Sequence, residues 1–404
     1  MGRPANAIGI AEAYQFVDPA TGALRGCALV GADVEAVAPG VATTVEAGRR
    51  LAERRRQLAA AASERGLALV AAGLHPMASA ATPCTDPEAG GGLDLHAGTA
   101  DPETARGEDF RAKPDVDAGA LPAGEIPAAA DARAGSIHGA TVQEGTVPAG
   151  LIPFGPVPAV SGFEVRVRVS VPGPEAVVRA MMGAAPYTPL LLALSASSPF
   201  HGGRDTGYAS YRAVLRGASP RSGPPPPIAT ATELIRLAEI LGGRPRARGF
   251  RVAWDLCPDL RGSALEYRFL DCGPWLTTTV LLAALARALT AMFMDRPAPQ
   301  STGIELQLQS ENRWRAAKYG LDAEFYRLDP LTGDRWPARE ALRALIERLA
   351  PVMERLGDGA VLDTVDEVLA RGAPAAVMRA RYARLGSLPA VVRWLADETV
   401  AGSG

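Results

Sequence analysis

Apolar and polar residues alternate most cleanly over residues 162–171, GFEVRVRVSV. Phe163, Val165, Val167, Val169 and Val171 share one side, and Glu164, Arg166, Arg168 and Ser170 share the other. That two-residue period predicts a strand with one buried face. Residues 7–18, AIGIAEAYQFVD, alternate as well: Ile8, Ile10, Glu12, Tyr14 and Phe16 fall on one side, Gly9, Ala11, Ala13 and Gln15 on the other. Residues 264–271 set Leu265, Tyr267 and Phe269 against Glu266 and Arg268. Residues 27–37 and 67–72 predict further strands, the second short and buried.

A helical period takes over elsewhere. Residues 44–65 are rich in Ala, Arg and Glu and stop at Gly66, a natural helix end. Within them Arg54–Arg56 read as a solvated face. Residues 175–185, 189–196, 231–241 and 275–294 predict helices, and four more follow Pro337, over 338–356, 361–371, 375–385 and 388–397. The run 275–294 is the most apolar, but it holds Thr277, Thr278, Thr279 and Arg287. It reads as a buried helix, with no membrane span. Residues 79–150 are rich in Ala, Gly, Pro and acids and poor in large apolar groups. They predict a flexible insertion, because little apolar burial offsets the chain entropy. The remainder reads as a single domain over 1–404.

Composition changes this picture little. A hydrophobic fraction of 48% suffices for one large core. A net charge of −2 gives no footprint for nucleic acid. The four cysteines, Cys27, Cys84, Cys257 and Cys272, lie far apart with no CxxC pair, as reduced thiols of a cytoplasmic protein would. The N-terminus carries no basic segment followed by an apolar run.

Chemistry concentrates in three stretches. In 190–212, LLLALSASSPFHGGRDTGYASYR, an apolar run ends in Ser195, Ser197 and Ser198. Pro199 forces a turn, and a glycine-rich loop then brings Asp205, Thr206, Ser210 and Arg212. The residues fit equally a cradle for an anionic ligand and a polar connection after a buried helix. In 265–271, LEYRFLD, Glu266 and Arg268 share a face. They suit a metal ligand beside an anion clamp, or a plain ion pair. In 311–323, ENRWRAAKYGLDA, Asn312, Arg313 and Arg315 lie close together, but the two arginines diverge, and Arg315 is the one favoured to reach an anion.

These three motifs, in this order, resemble the carboxylate–amine ligase family, also called glutamate–cysteine ligase family 2. The resemblance covers most of the chain outside about residues 80–155. It implies an α+β fold like the glutamine synthetase catalytic domain, a curved antiparallel sheet with helices packed outside. It implies ATP, Mg²⁺, a small amino-acid-like ligand, and amide formation through an acyl phosphate. Arg268 would be catalytic. Arg166, Arg168, Ser198, Asp205, Ser210, Arg212, Asn312 and Arg315 would bind substrate or nucleotide. Glu35 and Glu266 would be metal ligands.

The chain departs from the family pattern at three places, the first two in the same cleft. The family's first strand reads G-(I/V)-E-x-E, its glutamates helping to hold metal ions; those positions here are Ala11 and Ala13. Glu12 cannot replace them, because a one-residue offset points it to the other face. The family's H-V-H-V-G-V strand has arginines here, Arg166 and Arg168. In WDLCPD, Cys257 stands where the family usually has arginine. His75 and Pro76 match the family's G-x-H-P, and a structural role suits that histidine. The expectation is a degenerate homologue: a pseudoenzyme or accessory subunit, in a homo-oligomer or with a catalytically complete paralogue. The alternative is an active but divergent ATP-dependent ligase.

Overall fold

The computed structural model describes residues 6–33, 43–77, 164–218, 221–241, 252–260, 263–299, 301–328 and 331–401. All belong to one compact unit, comprising Met1–Leu93 and Pro153–Gly404. The expected insertion at 79–150, Glu35 and Cys84 lie outside the described residues.

In chain order the elements are β1 (Ile8–Val17), β2 (Leu24–Asp33), α1 (Thr44–Ser63), β3 (Ala68–Val70), β4 (Glu164–Ser170), α2 (Pro174–Ala184) and α3 (Thr188–Ser195). The hairpin β5 (Phe200–His201) and β6 (Arg204–Asp205) leads to α4 (Tyr211–Gly217), β7 (Ser222–Gly223) and α5 (Ala231–Ile240). Then come β8 (Ala253–Trp254), β9 (Leu256–Asp259), β10 (Ala264–Asp271), α6 (Leu276–Phe293) and α7 (Gly303–Tyr319). The small pair β11 (Glu324–Tyr326) and β12 (Arg335–Pro337) precedes α8 (Ala338–Arg355), α9 (Val365–Arg371), α10 (Pro374–Leu385) and α11 (Leu388–Ala401).

The main sheet runs β2-β1-β4-β10-β9, with β3 extending along β1 beyond the end of β4. Every pairing in it is antiparallel. It is curved with helices packed against it, as the resemblance implied, and they cover the apolar face that the alternation predicted. Val165, Val167, Val169, Leu265, Tyr267, Ile8 and Ile10 are all buried there, against α1, α2 and α6. Each such side chain contributes about 1.5–3 kcal/mol by leaving water.

The continuous helical stretch Pro174–Ser195 and the helix Leu276–Phe293 are long and apolar enough to cross a membrane by composition, but both are mostly buried inside the unit. Their crossing is close: a Cβ on Gly183 would stand 2.2 Å from the Phe293 ring. Only a residue without a side chain fits there.

Two expectations need correction. Arg54 and Arg56 are exposed, but Arg55 between them is fully buried. It follows Leu51 and precedes Leu58 on the apolar stripe of α1, and its guanidinium meets both oxygens of Glu12 at 2.8 Å. It also donates to the carbonyls of Gly273 and Pro274. The strict alternation read into β10 also fails partway. Tyr267 pairs with Val167 but Leu270 with Val165, so Arg268 and Phe269 together oppose Arg166. This β-bulge carries one extra residue. Beyond it Asp271 pairs with Glu164 and joins the polar side of the sheet.

Candidate functional site

The polar side of β1, β4 and β10 is a patch of arginines and carboxylates. Register decides its make-up. On β1, Ala11 stands opposite Arg166 and Gly9 opposite Arg168. On β10, Glu266 stands opposite Arg168, and Cys257 of β9 stands opposite Glu266. Cross-strand partners share a face, so Gly9 and Ala11 of β1, both arginines of β4 and Glu266 form one surface.

Glu12, one residue off in parity, lies on the other side as expected. It is fully buried, accepts from Arg55, Tyr14 Oη and Thr279 Oγ1, and has no access to the patch. Burial, then the neighbouring Glu12 carboxylate, pushes the Tyr14 hydroxyl well above its usual range.

The organising residue of the patch is Glu164, which motif reading placed only on the polar face of a strand. It is buried at the start of β4. Its Oε1 accepts from Arg166 Nε at 2.5 Å and from Arg268 Nη2 and Nε at 3.3 and 3.4 Å. Its Oε2 accepts from Arg216 Nη1 at 2.9 Å and Arg212 Nη1 at 3.4 Å. Burial pushes this carboxyl up, but the four guanidiniums outweigh it and hold Glu164 below the ordinary carboxylate range. A signal for it was available: five arginines, at 166, 168, 212, 216 and 268, need a buried counter-charge, and position 164 shares the parity of Arg166.

Arg168 and Glu266 form an ion pair, Nη1 to Oε1 3.0 Å, and the same nitrogen reaches Asp259 Oδ2 at 2.7 Å. Glu266 and Arg268 do not form the plain ion pair with each other, because each takes its partner from β4. Cys257 is buried with its Sγ 3.2 Å from the Trp254 carbonyl, and burial pushes its thiol up to about 11.

The serine-rich motif forms a closed network, not an open cradle. Asp271 is its acceptor: Ser198 Oγ donates to Oδ2 at 2.7 Å, Ser210 Oγ to Oδ1 at 3.0 Å and Arg212 Nε to Oδ1 at 2.7 Å. The Ser197 backbone N–H also donates to it. Ser198, Ser210 and Arg212 are all fully buried and hold the motif against β10. Ser210 also caps α4. A Cβ on Gly73 would stand 2.7 Å from Asp271 Oδ2, so the chain after β3 packs directly on this network.

The remaining positions lie apart. Asp205 is exposed on the β5–β6 hairpin and bound bidentately by Arg379 of α10, at 2.7 and 2.8 Å. Asn312 on α7 clamps the backbone of Tyr326, donating to its carbonyl and accepting from its N–H. Arg315 pairs with Glu311 and stacks on the Tyr326 ring. Arg313 is instead half-buried and pairs with the buried Asp255, at 2.6 and 3.0 Å. A cavity of about 430 Å³ lies on this helical side, lined by Asn312 with Tyr187, Phe293, Phe325 and Trp336; none of the patch arginines lines it. His75 is buried, with Nε2 3.0 Å from the Gly22 carbonyl and Nδ1 accepting from the Met77 N–H. Burial lowers its pKa to about 4.

Comparison with known proteins places these residues in a lineage. The model of glutamate–cysteine ligase family 2 matches residues 159–393. The putative glutamate–cysteine ligase 2-3 of Rubrobacter xylanophilus is 39% identical over 239 residues, which are 59% of this chain and 64% of that protein. The putative glutamate–cysteine ligase 2 of Thermobifida fusca is 35% identical over 249 residues, 60% of this chain and 61% of that protein. The aligned part thus spans less than two thirds of either relative. A crystal structure of glutamate–cysteine ligase from Francisella tularensis, in complex with AMP, superposes with a TM-score of 0.51 at 10% identity, over 100% of this chain and 90% of that one. A bifunctional glutathione synthetase from Pasteurella multocida gives 0.55 at 10% identity, over 99% of this chain and 52% of that one.

Proposed function

This chain belongs to glutamate–cysteine ligase family 2, and we propose from that premise that it is a carboxylate–amine ligase homologue with an eroded cation site. It serves as a non-catalytic, accessory subunit of an ATP-dependent amide-forming ligase. The observation that carries this reading is the Arg168–Glu266 ion pair, with Ala11 standing beside Arg166 on the same face.

The family's chemistry explains why that pair matters. ATP phosphorylates a substrate carboxylate and an amine displaces the phosphate. Such phosphoryl transfer depends on positioning and on cations that neutralise developing charge. Mg²⁺ asks for oxygen ligands in near-octahedral array. Among the described residues, no group of three or more His, Cys, Asp and Glu stands close enough to hold a metal. Of the two retained acids, Glu266 is engaged by a guanidinium, and methyl groups occupy the two β1 positions. At an effective dielectric of about 20, two unit charges about 4 Å apart repel by about 4 kcal/mol, and a divalent ion beside a guanidinium by about twice that. The described donor set does not fit a magnesium cage.

The test is ADP release by the purified chain with ATP, Mg²⁺ and a panel of amino acids that includes glutamate and cysteine. The expected rate is the protein-free background, with activity appearing only on mixing with a catalytically complete paralogue. Turnover by the isolated chain would establish an active, divergent ligase instead.

A further inference from the structure

We infer that Arg166 and Arg268, which share the Oε1 of Glu164, form a metal-independent binding site for a phosphate-type oxyanion. The inference rests on the reading that the cation cage has gone. It names what the remodelled cleft takes in its place.

Donor accounting carries it. A guanidinium offers five N–H donors. Among the described residues, Arg166 uses only Nε, on Glu164, and Arg268 uses Nε and Nη2 there, leaving both terminal nitrogens of Arg166 and the Nη1 of Arg268 without a protein acceptor. Glu164 cannot take more, since its two oxygens already accept five contacts from four arginines. Charge is equally out of balance. Arg212 is neutralised by Asp271 at 2.7 Å, and Arg168 is shared between Glu266 and Asp259. Arg166, Arg216 and Arg268 share Glu164, so the five arginines of the patch meet four carboxylates, Glu164, Asp259, Glu266 and Asp271, and one positive charge is left over. Arg216 even keeps a buried Nε with no partner.

Accessibility separates these groups. Glu164 and Arg216 are buried, but the side chains of Arg166 and Arg268 remain 35% and 29% exposed. They can meet a ligand while Glu164 fixes their spacing from below. Ala11, opposite Arg166, carries no bulk that would cover the fork. Two partly desolvated guanidiniums with an excess of positive charge match a multiply charged oxyanion better than a single carboxylate, because planar forks bind phosphate oxygens in pairs. Free diphosphate and the phosphate tail of a nucleotide share that chemistry.

The experiment is calorimetric titration of the full chain with pyrophosphate, ATP and AMP in buffer with EDTA, then with Mg²⁺ in excess. The expected result is binding of pyrophosphate or ATP without metal, and weakening of severalfold when Mg²⁺ masks the anion charge. ATP more than tenfold tighter than pyrophosphate would identify a nucleotide as the ligand; equal affinities would identify a free polyphosphate. Arg166→Gln and Arg268→Gln should each weaken binding about tenfold, and Arg166→Lys should recover part of the loss. Absence of binding in EDTA, or binding only with Mg²⁺, would overturn the inference. The magnesium arm uses the unsubstituted protein, so it decides even if a variant fails to fold. ADP release, measured separately, bears on the ligase reading alone.

Discussion

Arg168 faces Glu266 across neighbouring antiparallel strands, its Nη1 3.0 Å from the carboxylate Oε1. The pair couples the fate of the acid to the residue across from it. While the guanidinium is present, an incoming cation must displace it. Reinstating the family's donors should therefore reverse the preference. The combined variant Ala11→Glu, Ala13→Glu, Arg166→His and Arg168→His is expected to bind Mn²⁺ at least about tenfold more tightly than the unsubstituted chain, a difference of about 1.4 kcal/mol. Electron paramagnetic resonance of added Mn²⁺ reads this directly. Equal Mn²⁺ affinity of the two proteins would show that these positions do not govern cation binding.

The buried pair beneath β1 predicts a large stability effect. Arg55→Met leaves Glu12 charged and fully enclosed, with only Tyr14 and Thr279 to satisfy it. The expected loss is about 3–5 kcal/mol in chemical denaturation. Removing both charges, with Glu12→Leu added, should cost clearly less than the single change, since no isolated ion remains.

Asp271 predicts a comparable effect on the serine-rich motif. Asp271→Asn withdraws the charge that Arg212 Nε, Ser198 Oγ and Ser210 Oγ share. A loss of about 3–5 kcal/mol is expected. Gly73→Ala should destabilise through the same network by about 1–3 kcal/mol, because its new methyl would press on the Asp271 carboxylate. Hydrogen exchange of the Ser197 and Arg212 amides would localise both effects.

His75 predicts a pH dependence whose sign follows from its burial. Its folded pKa lies at about 4, below the ordinary value of 6.5. The unfolded chain therefore binds the proton more readily. The histidine's contribution is fully present above pH about 6.5 and is lost as pH falls toward about 4, up to about 3 kcal/mol in all. Midpoints of urea unfolding between pH 7 and 4 should fall less steeply in His75→Gln than in the unsubstituted chain.

The sequence disclosed elements more readily than roles. Periodicity located β1, β4, β10 and the helices after Pro337 within a few residues, because one buried face dictates each pattern. Parity separated Glu12 from Ala11 and Ala13 for the same reason. The serine-rich motif was harder. Ser198, Ser210 and Arg212 are the residue types that an anion cradle needs, and equally the types that satisfy a buried aspartate. Only the position of Asp271 distinguishes the two, and that position depends on a bulge that no alternation rule anticipates. Arg55 was misread because a run of three arginines suggests solvent, although its place on the stripe of Leu51 and Leu58 pointed inward. Glu164 carried no motif at all; its role emerges from the four side chains that converge on it.

The extra residue at Arg268–Phe269 lets one strand serve two masters. Before it, β10 turns Glu266 toward the cleft and Tyr267 toward the helices; after it, the assignment is inverted, and Asp271 comes to rest beside Glu164. Loss of a single codon there would keep the strand's composition nearly intact. It would also swing the aspartate into hydrocarbon and take from Arg212 the acceptor of its Nε, so the count of residues here matters as much as their kind.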